Sequence, residues 1–269
     1  MNKKLIRILA AAMIAGFGTS ASAADYSWSF GSTANSDTLA PTGVVSSSYS
    51  GYASAVSEYQ SMNYTNASSQ TVNIQGFANT ASGSTIERAY LTYQGSSGLG
   101  MTSRDSTGND EVDISTGQAI TPDHAMDNEG AMEGMLFTFG SNMTLGQVDI
   151  GWSTNDNDLS LYAYTGSSVA DITSTIIGKT FSTMTGWTKI GDFPGTSDPR
   201  VTTNTTYSRY WLVTPGATSD KLDYVKIAGV TATTQPVTPP PAVPEPASLA
   251  LIGTALAGMV AVRRRRKAA

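Results

Sequence analysis

Three polar segments carry side chains able to do coordination chemistry. Asp105, Asn109, Asp110 and Asp113 lie in the first, Asp123, Asp127, Asn128 and Glu129 in the second, and Asp156, Asn157 and Asp158 in the third. Carboxylates and carboxamides are hard oxygen donors, and Ca²⁺ takes about six to eight oxygens at roughly 2.3–2.6 Å. If the segments are loops at one end of a β-structure, Asp105, Asp110, Asp123, Asp127, Asn128, Asp156 and Asp158 could converge on such an ion. None has the twelve-residue spacing of an EF-hand, with its glycine and closing glutamate. The alternative is that Asp and Asn stand there because they accept turn geometry and cap backbone amides.

Other chemistries find less material. His124 is the one histidine, and the chain has no cysteine, so a zinc site of three or four N/S ligands cannot be assembled. No Gly-x-Ser-x-Gly elbow accompanies it, which leaves His124 as a hydrogen-bonding loop residue rather than a general base. Glycoside hydrolysis needs two carboxyl groups at set separations, and Glu129 with Glu133 or Asp156 with Asp158 could supply them. Acidic residues are so numerous here that such pairs arise by chance, and the expectation is a protein that is not an enzyme and requires no cofactor, with Ca²⁺ as the possible exception. Trp152, Tyr162 and Tyr164 offer apolar ring faces on which a sugar could stack, with Asp and Asn nearby to accept its hydroxyls. Alternation puts Trp187 and Trp211, like these three, equally well in a core.

The elements that must position these groups are strands. Alternating apolar residues mark 86–93, 135–139, 145–150, 159–164, 209–214 and 222–230, separated by Gly, Asn, Asp and Pro. Only 14% of the chain is charged, and Ser, Thr, Gly, Asn and Tyr are abundant, a composition suited to strands and turns. Eight to ten strands and hardly any helix imply an all-β body, a jelly-roll-like β-sandwich. No fixed-period repeat is visible, which disfavours a solenoid or propeller. Segment 42–69 is uncharged except for Glu58 and reads as a Ser/Tyr-rich surface or irregular edge strands.

Charge separates the ends from the middle. The formal net charge is −5, but eight of the sixteen Lys and Arg lie in the terminal segments. Between 24 and 244 there are eight Lys and Arg against twenty Asp and Glu, a balance of about −12. Such a body repels nucleic acid and anionic lipid.

Residues 1–23 have the basic start, apolar run and Ala-Ser-Ala end of a secretory signal peptide, whose removal would leave Ala24 first. At the other end, the Pro-rich stretch 232–243 reads as a stalk before Val243, Pro244, Glu245 and Pro246. Sixteen uncharged residues follow, about 24 Å as a helix against ~30 Å of hydrocarbon, so a transmembrane helix here needs a thinned bilayer or snorkelling arginines. Arg263, Arg264, Arg265, Arg266 and Lys267 then hold the chain end in the cytoplasm and the body outside.

Pro-Glu-Pro, a short apolar helix and a basic cluster in that order resemble the PEP-CTERM sorting signal of Gram-negative bacteria. The resemblance implies recognition by an integral-membrane exosortase, cleavage near Pro244-Glu245-Pro246, transient residence at the inner membrane, and a final place on the cell surface or outside it. The runs "GLGMTSRD" (98–105), "HAMDNEG" (124–130), "IGW" (150–152) and "DNDLSLYAYTG" (156–166) are similar to a family of exosortase-dependent surface proteins, which carries a location but no activity.

The expected organisation is a signal peptide over 1–23, an extracellular β-sandwich domain over 24–231, the stalk over 232–243, and a sorting signal with its transmembrane helix and basic tail over 244–269. The expected role is that of a non-enzymatic surface or biofilm-matrix protein. A carbohydrate-binding module for exopolysaccharide, and behind it a polysaccharide hydrolase, are the alternatives.

Overall fold

A computed structural model describes residues 22–32, 36–39, 58–81, 84–103, 124–195, 197–216, 222–236 and 247–266. The signal peptide up to residue 21, Asp105, Asp110, Asp123, Val243, Pro244, Glu245, Pro246 and Lys267 lie outside them. The β body and the C-terminal helix fall in separate compact units, the body spanning Ala23–Gln235.

The strands are β1 (Asp25–Ser29), β2 (Ser36–Leu39), β3 (Glu58–Thr65), β4 (Thr71–Ala81), β5 (Thr85–Tyr93), β6 (Leu99–Thr102), β7 (Met126–Asp127), β8 (Glu133–Asn155), β9 (Leu159–Tyr164), β10 (Trp187–Phe193), β11 (Arg200–Val201), β12 (Ser208–Pro215) and β13 (Asp223–Thr234). The all-β expectation holds. The strands join in one antiparallel sheet rather than two separate ones, with the order β1-β13-β6-β5-β3-β4-β8-β12-β9-β10. Pairings β8–β13, β13–β6, β6–β5, β5–β4 and β4–β8 close a ring, so the sheet folds over itself around a common interior.

β8 makes the fold possible. Residues 135–139 and 145–150, which read as two strands, are halves of one 23-residue strand. Its first half pairs with β4 and β12 and its second with β13. Gly140, Ser141 and Asn142, read as a turn by composition, are exposed where the partners change. Pairing of Phe139 with β4 before them and of Met143 with β12 and β13 after them keeps the chain extended through these turn-prone residues.

The period of two decides which side chains meet. From β8, Met135, Phe137 and Phe139 enter the inner core with Trp28, Phe30, Leu161, Trp211 and Val213. Trp28 packs on Phe139 at 5.1 Å between ring centroids, and Phe30 on Phe137 at 6.0 Å. The alternate residues Leu136 and Leu212 point the other way, into a second cluster with Phe77, Ile86, Ile172, Ile176 and Met184. The excursion between β9 and β10, with a 3₁₀ turn at Ile172–Thr175 capped by Asp171, covers that outer face. This cover buries Leu136 and Leu212, while Tyr162 and Tyr164 on the same face of β9 stay partly exposed.

Two glycines of the "GLGM" run are required by close packing. Gly98 has φ +87°, and a Cβ there would lie 2.1 Å from the Ile227 carbonyl oxygen; one on Gly100 would lie 1.7 Å from that of His124. Any larger residue would push β6 away from β13 and from the 124–130 segment.

The C-terminal helix α1 (Ala247–Arg266) forms as the sequence reads, but the expected transmembrane helix is corrected: no helix among the described residues is long and apolar enough to cross a membrane. Its uncharged stretch stops at Arg263 and is diluted by Ala, Gly, Ser and Thr, which transfer little apolar surface into lipid. Ile252, Leu256, Met259, Val260 and Val262 are all more than half exposed.

Candidate functional site

Strand ends gather the acidic side chains at one place on the body. β8 and β9 are joined by Asp156, Asn157 and Asp158, and β13 begins at Asp223 beside them through a parallel bridge from Asp156. Asp156, Asp158 and Asp223 bring carboxylate oxygens within 4.8 Å of one another. The Asp158 N–H donates to Asp223 Oδ1 at 2.9 Å, and the Gly195 N–H to Asp158 Oδ1 at 2.6 Å. Asn128 holds Asp223 from its other side, with Nδ2 donating to Asp223 Oδ2 at 3.0 Å while Oδ1 accepts the Asp223 N–H at 3.0 Å.

A buried arginine braces the same region. Arg200 donates from Nη2 to Asn157 Oδ1 at 2.7 Å and to the Asn157 carbonyl at 3.1 Å, and from Nη1 to Pro194 O at 2.8 Å. It also bonds the Gly195 carbonyl. Arg200 thereby fixes both the loop carrying Asp158 and the glycine that donates to it, which suits the fixed fork of a guanidinium. The three carboxylates are hard oxygen donors of the kind a divalent cation such as Ca²⁺ takes, while Asn128 is occupied in holding Asp223.

Asp127 is close in the chain to Asn128 but does a local job. Its Oδ1 accepts the Glu129 N–H at 3.0 Å, and its own N–H donates to Glu133 Oε2 at 3.1 Å. Tyr224 donates its hydroxyl to Glu129. Glu129 and Glu133 are thus engaged in holding the turn after β7. Burial, followed by the charge of Lys226, lowers the His124 imidazole from 6.5 to about 4, so it is neutral near pH 7.

The three aromatic candidates have separate surroundings. Trp152 lies under the Lys226 ammonium, 4.6 Å from the ring, and packs beside Ala125 and Tyr224. Burial lowers the pKa of Lys226. Tyr164 meets Trp187 edge-on at 5.5 Å and Tyr210 at 6.1 Å, and its hydroxyl donates to Ser167 O. Tyr162 lines a surface groove of about 330 Å³ with Phe181, Asn79, Ser160, Ser182 and Lys189 among its neighbours. Lys189 pairs with Asp192 at 2.6 Å and stands 5.8 Å from the Tyr162 ring. Trp187 is partly buried and Trp211 wholly buried, its Nε1 donating to the Met143 and Ser208 carbonyls at 3.0 Å.

Of the sequence-derived oxygen ligands, the structure brings together Asp156, Asp158 and Asn128. It adds Asp223, which stood unnoticed at the head of a strand, and Arg200. The signal for Asp223 was an acidic residue opening a run buried on both faces; Arg200 carried no sequence signal beyond its place between Pro199 and Val201.

Residues 242–266 match the family model described as PEP-CTERM protein-sorting motif. The C-terminal segment therefore carries a PEP-CTERM sorting motif. Such a motif implies exosortase as the processing partner, and with it export and sorting to the cell surface. The match begins just beyond the body, after β13 has ended at Thr234. No curated protein and no solved structure matches the chain.

Proposed function

We propose that this PEP-CTERM protein is a non-enzymatic component of the surface or biofilm matrix of a Gram-negative-type cell. A cleaved signal peptide exports it, its tail engages the inner membrane transiently, and exosortase cuts near Pro244-Glu245-Pro246. The sorting motif at 242–266, placed directly after a closed β body, carries this assignment. The likeness of 98–166 to exosortase-dependent surface proteins agrees with it, and the folded sheet serves as a sandwich-like module. Mass spectrometry of the mature protein from intact cells tests it: the expected species starts at Ala24 and ends near Pro246. A mature form retaining the Arg-rich tail would overturn the processing, and polysaccharide hydrolysis that is lost in Glu129→Gln would overturn the non-enzymatic role.

The groove at Tyr162 favours a second role, carbohydrate binding. An aromatic ring flanked by hydroxyls, an amide and a neutralised ion pair can stack a sugar and bond its hydroxyls. Saturable binding to the producer's exopolysaccharide, weakened by Tyr162→Ala, is the expected result; unchanged binding would exclude this groove. The Asp156, Asp158 and Asp223 constellation further leads us to propose Ca²⁺ as a stabilising ion. Adding millimolar Ca²⁺ after chelation should raise the melting temperature in the wild type but not in Asp158→Asn.

A further inference from the structure

The first and last strands of the body are partners. β1 pairs with β13 in register from Asp25 opposite Thr233 to Ser29 opposite Gly229. Beyond that pair, the Ala24 N–H donates to Thr234 Oγ1 at 3.0 Å and the Thr234 N–H to the Ala24 carbonyl at 2.9 Å. Side chains add Thr233 Oγ1 to Asp25 at 2.6 Å and Ser27 Oγ to Thr231 Oγ1 at 2.8 Å. Trp28, with its Nε1 on the Gln70 carbonyl, and Phe30 lock β1 into the inner core. The first residue left after removal of 1–23 is therefore already in the sheet, and it touches the last residue of β13.

β13 is also the element on which the body closes. It pairs with β1, β6, β7 and β8, and the ring of strands passes through it. Four partners remain unsatisfied until residues as late as 234 are available, and edge groups of a sheet left unpaired favour association with other chains. Nine residues, 235–243, then separate this strand from Pro244. Fully extended, nine residues span at most about 32 Å at up to ~3.6 Å per residue.

We infer that β13 closes the body before exosortase cuts, so that exosortase receives a finished β body on a short leash, with both chain ends leaving from one corner. This deepens the assignment of the chain as an exosortase substrate and rests on it. A body still open at cleavage would leave the membrane with β13 and its four partners exposed. A closed one keeps its sheet when the tail is removed, because among the described residues the last one paired in the sheet is Thr234.

The absence of cysteine makes a clean test possible. Asp25 and Thr233 are a non-hydrogen-bonded antiparallel pair, with Cα atoms expected about 4.5 Å apart, within disulfide range. The full-length chain carrying Asp25→Cys with Thr233→Cys is expressed in exosortase-deficient and wild-type cells, oxidised in intact cells and run on non-reducing gels. Ser27→Cys with Thr231→Cys repeats the test one pair further in, and Thr65→Cys with Thr71→Cys, a local β3–β4 pair, controls for access of the oxidant. The expected result is that both terminal pairs cross-link in the unprocessed chain to the same extent as in the mature one, and that the cross-linked precursor is still cut when exosortase is supplied. Cross-linking confined to the mature form, or absent from both forms while the β3–β4 pair cross-links, would overturn the inference, as would a cross-link that blocks cutting. Failure of the substrate assignment appears separately, as a wild-type chain whose tail is never removed.

Discussion

The tail and the acidic corner of the body carry their information in opposite ways. Everything that defines the tail lies within 242–266: Pro-Glu-Pro, an uncharged helix and four arginines in its last turn. The corner takes Asp156 and Asp158 from one turn, Asp223 from 65 residues beyond Asp158, and Asn128 from 95 residues before Asp223. A signal read by an enzyme on an accessible segment can be written locally, because its partners are supplied by the reader. A constellation that must hold several carboxylates together has to be assembled by strand pairing, since only tertiary contacts overcome the repulsion and desolvation of grouped charge.

If the two regions are independent in this sense, each can be broken without the other. Replacing Pro244, Glu245 and Pro246 with alanine should have the largest effect, removing the processed species entirely while leaving the circular dichroism of the body unchanged. Trp211→Ala should do the converse: truncating this buried ring should cost the body about 3–5 kcal/mol in denaturant unfolding, with cutting retained in whatever folds. A smaller loss, about 1–3 kcal/mol, is expected from Asn128→Ala, which strips Asp223 of two hydrogen bonds at the buried head of β13.

The smallest effect is a pH dependence confined to the body. The folded-state pKa of His124 is lowered from 6.5 to about 4, so the unfolded chain binds the extra proton first as pH falls. Its contribution is fully present above pH 6.5 and is lost progressively as pH falls toward 4. Partial exposure of the ring reduces this below the ideal linkage value. Melting temperatures measured across that window should fall more steeply in the wild type than in His124→Gln; parallel curves would remove His124 from the account.

The strand pattern was legible where apolar and β-prone residues recur within a short run. Segment 159–164 coincides with β9, and 86–93 and 209–214 fall inside β5 and β12, because alternation is set by side-chain period alone. The continuity of β8 was not legible: Gly140, Ser141 and Asn142 have turn propensities, and only flanking strands keep them extended. The fate of the aromatics was likewise hidden. Trp211 and Tyr162 sit on alternating positions of paired strands, and which face meets the core and which meets a groove depends on what packs above them.

By itself, the sequence determined that the body is all-β, that it is acidic between basic ends, and that its tail bears a sorting signal, because composition, period and a contiguous motif need no partner to be read. Tertiary structure alone decided that the sheet is single and closes through β13, that Asp223 joins Asp156 and Asp158, and that Ala24 meets Thr234. Each of these depends on residues far apart in the chain, and their meeting is fixed by the register of strands whose own sequences leave that register open.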